Sequence, residues 1–311
     1  MLGYLLVLLS SAFFCIQNVV VRILFAEQTL VGVGVTGGFL PPTLQNSFLL
    51  LLLRMALAVP LMGLLANRMH PQIWQDLRKL AAPSQRRALG YALAGGGLMF
   101  AYLALLYVSI GLIATGIAMT LFFTFPVFTA LFSWRFLGHR PSNARWGVMG
   151  CVLLGSVLSV PHNQWAGGGS YWGGVLSVAA GVAYALYTVN AQKSFDYLHP
   201  VPYTWISFAI TLLLSALCLL IWPQAEAPSL AWGPIWIGSL ISGLVTFAGH
   251  VLYNSGIRLI GATSSAMIGA ANPAFTVVLA WMSIREVLGG MQLLGVAIVT
   301  LSVASLSRFS R

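Results

Sequence analysis

Long apolar stretches separated by short polar breaks run along the whole chain. Residues 91–108 are continuously apolar, and residues 48–66 are apolar apart from Arg54. A helix needs about 20 apolar residues to cross a bilayer, whereas strands of a membrane β-barrel alternate apolar and polar residues. The pattern therefore predicts an all-α membrane protein with ten transmembrane helices, near residues 1–24, 46–66, 88–109, 112–136, 143–160, 171–192, 201–222, 234–256, 262–284 and 289–307.

The composition supports the same class of protein. Of 311 residues, 59% are hydrophobic and 6% are charged, and the mean hydropathy is +0.90, whereas soluble domains carry about 25% charged residues. Ten spans with short loops account for the length, so we expect no soluble catalytic domain. The three cysteines fall within predicted spans without a metal-binding or redox spacing.

Basic residues lie mostly in alternate loops between the predicted spans. Cytoplasmic loops of membrane proteins hold an excess of Lys and Arg. Twelve of the fifteen basic residues fall on one side, namely Arg68, Arg78, Lys79, Arg86, Arg87, Arg135, Arg140, Arg145, Lys193, Arg258, Arg308 and Arg311. Arg22 and Arg285 fall on the other side. The bias predicts a multi-pass protein of a bacterial-type inner membrane with both termini in the cytoplasm. The loop charges then need membrane lipid as a partner, and no nucleic acid.

Two parts of the chain match each other. One match pairs Leu106-Tyr107-Val108-Ser109 and Phe125-Pro126-Val127-Phe128 with Leu252-Tyr253-Asn254-Ser255 and Asn272-Pro273-Ala274-Phe275, with one inserted residue. Residues 3–22 also align with residues 174–193 without a gap. Each half holds five spans, and because five is odd the second half is inverted relative to the first. We therefore predict two inverted five-helix repeats, at 1–161 and 170–307, an arrangement that is typical of transporters.

These features together resemble the drug/metabolite transporter superfamily, and specifically its EamA family. The resemblance covers nearly the whole chain and implies one EamA domain in each half. It is carried by the second span with Arg54, by the proline-centred motifs Thr124-Phe125-Pro126-Val127-Phe128 and Ala271-Asn272-Pro273-Ala274-Phe275, and by the turns Leu137-Gly138-His139-Arg140-Pro141 and Ser283-Ile284-Arg285-Glu286. Family members usually have Glu followed by Arg in these turns. His139 stands where the first Glu would be, and Glu286 keeps the second.

Pro126 and Pro273 lie at matching places in the two halves. A proline inside a helix frees the carbonyl four residues earlier, here at Phe122 and Gly269. A freed carbonyl within lipid needs another partner. We interpret both prolines as hinges beside the substrate path, while a structural kink satisfied by neighbouring helices is the alternative.

Arg54 lies about 12 Å into the second span, at 1.5 Å per residue. An unpaired charge at that depth costs at least a few kcal/mol. No acidic residue lies in the interior of any predicted span. Arg54 therefore either contacts a substrate carboxylate or phosphate, or it snorkels outward or binds carbonyl groups in a structural role.

Other polar residues fall on interior helix faces. One face of the eighth span carries Gly243, Phe247, His250 and Asn254 at helical spacing. This face is too polar to contact lipid. With Arg54, the candidate substrate-binding residues are Asn18, Tyr184, Tyr187, Thr188, His250, Asn254 and Asn272. They suit amino acids, aromatic compounds or similar metabolites, although polar helix packing explains each one nearly as well.

The sequence thus predicts a secondary transporter of a small metabolite that works by alternating access, with export favoured by the family resemblance. A channel or lipid scramblase is one alternative. An intramembrane enzyme is another, but the five acidic residues lie at span ends or in loops, away from any catalytic constellation. We expect no enzyme, no cofactor and no metal. The expected partners are the small-molecule substrate and lipid, and the protein is expected to be a monomer or homodimer.

Overall fold

The computed structural model describes residues 1–311 except 26, 31–33, 42, 114, 139, 159–170, 223–229, 273–274, 276–278, 280–288 and 307–311. Helices dominate this described part. They are α1 (Leu2–Phe25), α2 (Leu44–Met69), α3 (Ile73–Lys79), α4 (Arg86–Leu112), α5 (Thr115–Phe122), α6 (Phe125–Leu137), α7 (Asn143–Leu158), α8 (Tyr171–Ser194), α9 (Pro200–Ile221), α10 (Trp232–Gly269) and α11 (Gly290–Leu306).

The apolar pattern produces helices where it predicts spans. Within the described part of the chain, seven helical segments are long and apolar enough to cross a membrane, and residues 143–158 and 293–302 form shorter apolar helices. The all-α prediction is therefore confirmed at the level of a multi-pass membrane protein. The second half of the ninth predicted span, from residue 273 onward, lies mostly outside the described residues.

The linker between the first two spans forms a small hairpin. Strand β1 (Glu27–Leu30) pairs antiparallel with β2 (Gly34–Gly37), and Glu27 lies opposite Gly37. Thr43 then begins α2, because its side chain accepts a hydrogen bond from the backbone N–H of Asn46. The sequence of residues 27–46 predicts an ordered or re-entrant outer loop, and its glycine-rich composition does not predict the two strands.

The helices pack in a regular set of pairs. The most extensive contacts join α1 with α10 and α4 with α8, and further pairs join α2 with α9 and α7 with α11. Glycines let the first two pairs approach closely. A Cβ atom added at Gly256 would lie 2.3 Å from Val7 Cγ2, and one added at Gly173 would lie 2.6 Å from Ile113 Cγ2. Small residues at such crossings are the usual means of close helix packing in membranes.

Helix α10 contains a break at one residue. A straight helix of its 38 residues would be about 57 Å long, well beyond the hydrocarbon core of a bilayer. Gly261 has a φ of 81° and a ψ of 164°, a left-handed conformation that glycine adopts without strain. Two helical arms, 232–260 and 262–269, therefore meet at Gly261, where the sequence predicts the turn between the eighth and ninth spans.

Candidate transport site at the centre of the bundle

Three helices share a buried polar network. The side-chain amide of Asn254 donates to the Tyr187 hydroxyl at 2.9 Å and to the Thr204 hydroxyl at 2.8 Å. These residues lie on α10, α8 and α9, and all three are fully buried. Buried polar groups are costly unless they are paired, so this network fixes the mutual positions of the three helices.

Arg54 is buried in the same region. Its Nη2 donates to the Tyr107 hydroxyl at 3.0 Å, which joins α2 to α4. The side chain is 0% exposed, so Arg54 does not snorkel to the surface. The backbone oxygen of Arg54 would lie 3.2 Å from a Cβ atom added at Gly243, so α2 and α10 are also close at this level.

Aromatic rings surround these polar groups. Tyr184 meets Tyr102 edge-on at 4.8 Å between ring centroids, and it meets Phe125 at 4.6 Å. The His250 ring lies 4.9 Å from Phe14 and 5.5 Å from Phe208, and its Nδ1 has no hydrogen-bond partner. The centre of the bundle thus combines a guanidinium, an amide and an imidazole with aromatic walls, which is the mixed lining that small-molecule sites require.

The helix of the predicted fourth span is interrupted just before Pro126, as the sequence predicts. Helix α5 ends at Phe122, and α6 begins at Phe125 with Pro126 in its first turn. The Phe122 carbonyl faces α8, because a Cβ atom added at Gly181 would lie 2.8 Å from its oxygen. The break therefore lies against the helix that carries Tyr184 and Tyr187.

The second arm of α10 also begins beside α8. The Gln192 side-chain oxygen accepts a hydrogen bond of 2.6 Å from the backbone N–H of Ala262. The first N–H groups of a helix have no partner within that helix. Gln192 supplies one, and so it anchors the chain immediately after Gly261.

Most of the predicted site residues come together. Arg54, Tyr184, Tyr187, His250 and Asn254 are buried around the centre described above. Thr188 is also buried, but its hydroxyl donates within α8 to the Tyr184 carbonyl at 2.8 Å.

Asn272 contacts α1, and Asn18 lies on it. The Asn272 carbonyl accepts from the Cys15 thiol at 3.4 Å. Asn18 is partly exposed, and Gln17 is the α1 side chain that accepts from the Thr246 hydroxyl, at 2.6 Å. Pro273, His139, Arg285 and Glu286 lie outside the described residues.

Sequence reasoning overlooked several contributors. Tyr107 and Thr204 complete the two polar contacts, and Tyr102 and Tyr253 join the aromatic cluster. A signal for two of them was present, since the repeat places Tyr107 opposite Tyr253. Across the described ranges, no three His, Cys, Asp or Glu side chains come close enough to hold a metal ion.

Comparison with known proteins identifies the family. A family model described as "EamA-like transporter family" matches residues 171–308. A Synechocystis sp. protein named "Uncharacterized transporter sll1319" is 52% identical over 311 residues, which cover 99% of this chain and 93% of that protein. The chain belongs to the EamA-like transporter family. The resemblance to the drug/metabolite transporter superfamily is thereby confirmed, and the protein is a multi-pass membrane transporter.

Other comparisons give more distant likenesses. "Threonine/homoserine exporter RhtA" of Escherichia coli (strain K12) is 27% identical over 218 residues, which are 70% of each chain. A solved structure described as "Crystal structure of protein" has a TM-score of 0.75, with 17% sequence identity over 100% of this chain and 96% of the other. That likeness shows the fold.

This EamA transporter carries a second polar cluster where α2 ends and α9 begins. His70 stacks on His199 with centroids 4.3 Å apart, and His70 Nε2 lies 2.7 Å from the Asp76 carboxylate. His199 Nδ1 accepts from the backbone N–H of Val201, which requires an unprotonated nitrogen. Burial, His70 and Arg258 lower the pKa of His199 from 6.5 to about 4, and Asp76 opposes the shift.

We expect this histidine to make the stability of the protein depend on pH. The unfolded chain binds a proton at His199 more readily than the folded chain does, so stability is fully present above about pH 6.5 and falls as pH decreases towards about 4. His199→Gln should therefore flatten the dependence of the melting temperature on pH within this window. Melting curves of the purified protein from pH 4 to 8 test this, and an unchanged slope in the variant would contradict it.

Proposed function

We propose that this protein is a secondary transporter that exports a small metabolite by alternating access. The observation that carries the proposal is the burial of a guanidinium, an amide and an imidazole inside the bundle, on α2 and α10. Arg54 lies ten residues into α2, about 15 Å along a helix that crosses a core of about 30 Å. Polar groups at mid-depth in membrane bundles usually belong to substrate or ion pathways.

We further propose ten spans in two inverted repeats, 1–161 and 170–307, in an inner membrane with both termini in the cytoplasm. The helix pairing supports this. In such a repeat the first span corresponds to the sixth and the third span to the eighth, so α1 corresponds to α8 and α4 to α10. The contact between α1 and α10 in one half of the relation then corresponds to the contact between α8 and α4. Both of these pairs are extensive, and α2–α9 and α7–α11 map onto themselves.

Individual contacts follow the same exchange. A Cβ atom added at Gly3 of α1 would lie 2.6 Å from Ile260 Cγ2, and one at Gly173 of α8 would lie 2.6 Å from Ile113 Cγ2. The sequence match puts residues 112–113 opposite 258–259, and residue 3 opposite 174. The two crossings therefore coincide to within one residue, as related halves require.

Access to the site requires movement of the helices. Arg54, Tyr187 and Asn254 are fully buried, so a substrate reaches them only when helices separate. The breaks at Pro126 and Gly261 are suitable hinges, because helices bend sharply where the ladder of backbone hydrogen bonds is interrupted. Both breaks contact α8, which carries Tyr184 and Tyr187.

Amino acids and related compounds are the proposed substrates. The aromatic walls suit an apolar or aromatic side group, and the buried polar groups suit an amino acid head group. The RhtA relatives are named threonine/homoserine exporters, which makes threonine a useful first compound in a panel.

Purified protein in liposomes should transport at least one member of a panel of amino acids and aromatic metabolites with saturable kinetics. Unlabelled compound on the opposite side should accelerate entry of the labelled compound, because a carrier exchanges its substrate. His250→Ala should lower the initial rate by about tenfold, a typical loss for one polar binding contact.

Arg68→Ala is the matched control, because Arg68 is an exposed basic residue at the end of α2. It should transport at the parental rate, with all variants present at equal protein levels. A linear flux that does not saturate would contradict the carrier mechanism and favour a channel or scramblase.

A further inference from the structure

Most of the hydrogen-bond donors of the Arg54 guanidinium group have no partner among the described residues. Its Nη2 donates to Tyr107, but Nε and Nη1 are buried without any hydrogen-bond partner. A guanidinium offers five N–H donors and stays charged in proteins. An arginine that only holds helices together would direct these donors to carbonyl oxygens of its neighbours.

The charge of Arg54 is also unbalanced. The sequence has five acidic residues, Glu27, Asp76, Asp196, Glu226 and Glu286, all at the ends of predicted spans or in loops. Within the described part of the chain, no carboxylate pairs with Arg54. A buried positive charge attracts a negative group strongly in a medium of low dielectric constant. The missing negative charge is therefore best supplied by a ligand.

The surroundings favour a ligand with one carboxylate group. Tyr102 and His250 lie within electrostatic range of the guanidinium, and the His250 ring is enclosed by aromatic side chains. A single guanidinium balances one carboxylate, and the two groups match in planar geometry. A phosphate brings about 1.5 to 2 negative charges, which one buried arginine does not balance.

We propose that Arg54 binds a carboxylate group of the transported molecule, and that Tyr107 holds the guanidinium in position. This inference rests on the proposed transport function and names the substrate class of the same site. The molecule is a monocarboxylate whose remainder contacts the aromatic walls formed by residues such as Tyr102, Tyr184 and Tyr187. Tyr107 is a positioning residue, since it acts through Arg54.

Matched pairs of carboxylates and their amides test the proposal by binding. The full-length protein in detergent is heated with L-threonine or L-threoninamide, with phenylacetate or phenylacetamide, or with inorganic phosphate, and unfolding is followed by tryptophan fluorescence. At least one acid should stabilise the parent protein, with an affinity about tenfold or more above that of its amide. Arg54→Gln should remove the difference, whereas Arg68→Gln, at an exposed position on the same helix, should retain it.

Tyr107→Phe provides a second variant that keeps the charge. It should weaken binding of the acid by a few-fold while the preference for acid over amide remains. Equal effects of acid and amide on the parent, no effect of any acid, stabilisation by phosphate alone, or a preference that survives in Arg54→Gln would each overturn the proposal.

Flux measurements on the same pairs separate this proposal from the function on which it rests. An acid that binds through Arg54 but shows no saturable flux in liposomes would overturn the transport function and leave the carboxylate site standing. Saturable flux of both acid and amide at equal rates and affinities would support transport and overturn the carboxylate site.

Discussion

The Arg54→Met variant is expected to be more stable to heat than the parent protein and to be inactive in transport. Methionine fills a similar volume without a charge, and a charged side chain near the bilayer centre costs about 2.5–3.5 kcal/mol on insertion scales. Loss of the hydrogen bond to Tyr107 offsets only about 1 kcal/mol of that stabilisation. A net stabilisation of about 2 kcal/mol should accompany the loss of transport, because the substrate loses its charged contact.

Opposite effects on stability and activity distinguish a ligand-binding arginine from a structural one. A structural Arg54 would make both the melting temperature and the transport rate fall when it is replaced. Thermal unfolding in detergent and flux in liposomes are measured on the same preparation. Tyr107→Phe serves as the control for the lost hydroxyl contact, and it should lower stability slightly. A fall in the melting temperature of Arg54→Met would contradict the prediction.

Gly181→Val is expected to disrupt the packing of the fourth span against α8. The first added carbon atom would lie 2.8 Å from the Phe122 oxygen, which is a backbone atom and so cannot move aside as a side chain would. Overpacking of this kind costs about 1–3 kcal/mol. The displaced break would also shift α8, which carries Tyr184 and Tyr187. We expect a lower melting temperature and severe loss of transport.

Gly174→Ala is the matched control on the same helix. A Cβ atom at position 174 would lie 3.6 Å from Leu121 Cδ1, an ordinary van der Waals distance. The control should keep the parental melting temperature and transport rate. Equal effects of the two substitutions would contradict a specific role of the contact between Gly181 and the Phe122 carbonyl.

The broad architecture could be predicted because it depends on local properties of the sequence. Hydropathy places the helices, and Pro126 interrupts the fourth span because it lacks an N–H group. His250 and Asn254 fall on one helix face by periodicity alone, and both are buried. These features need no knowledge of how distant parts of the chain meet.

The partners of these residues depend on contacts between distant helices and could not be predicted in the same way. Arg54 and Tyr107 are separated by 53 positions, and Thr204 and Asn254 by 50. Periodicity indicates that a residue faces inward, but it does not identify the residue that it meets.

Small rotations decide which polar residue of a helix makes a contact. Adjacent residues differ by about 100° around an α-helix. Asn18 was predicted to line the site, whereas the observed contact to Thr246 is made by its neighbour Gln17. An error of one position in the helix face is therefore enough to exchange the two side chains, and hydropathy does not resolve the difference.

The hydrogen bond between Gln192 and Ala262 has a consequence for how the chain assembles in the membrane. Its two residues lie 70 positions apart, so the partner of the Ala262 N–H belongs to a helix that is synthesised much earlier. The second arm of α10 therefore gains a partner for its first N–H group only after α8 is in place, and we expect this arm to dock onto an α8 that has already formed.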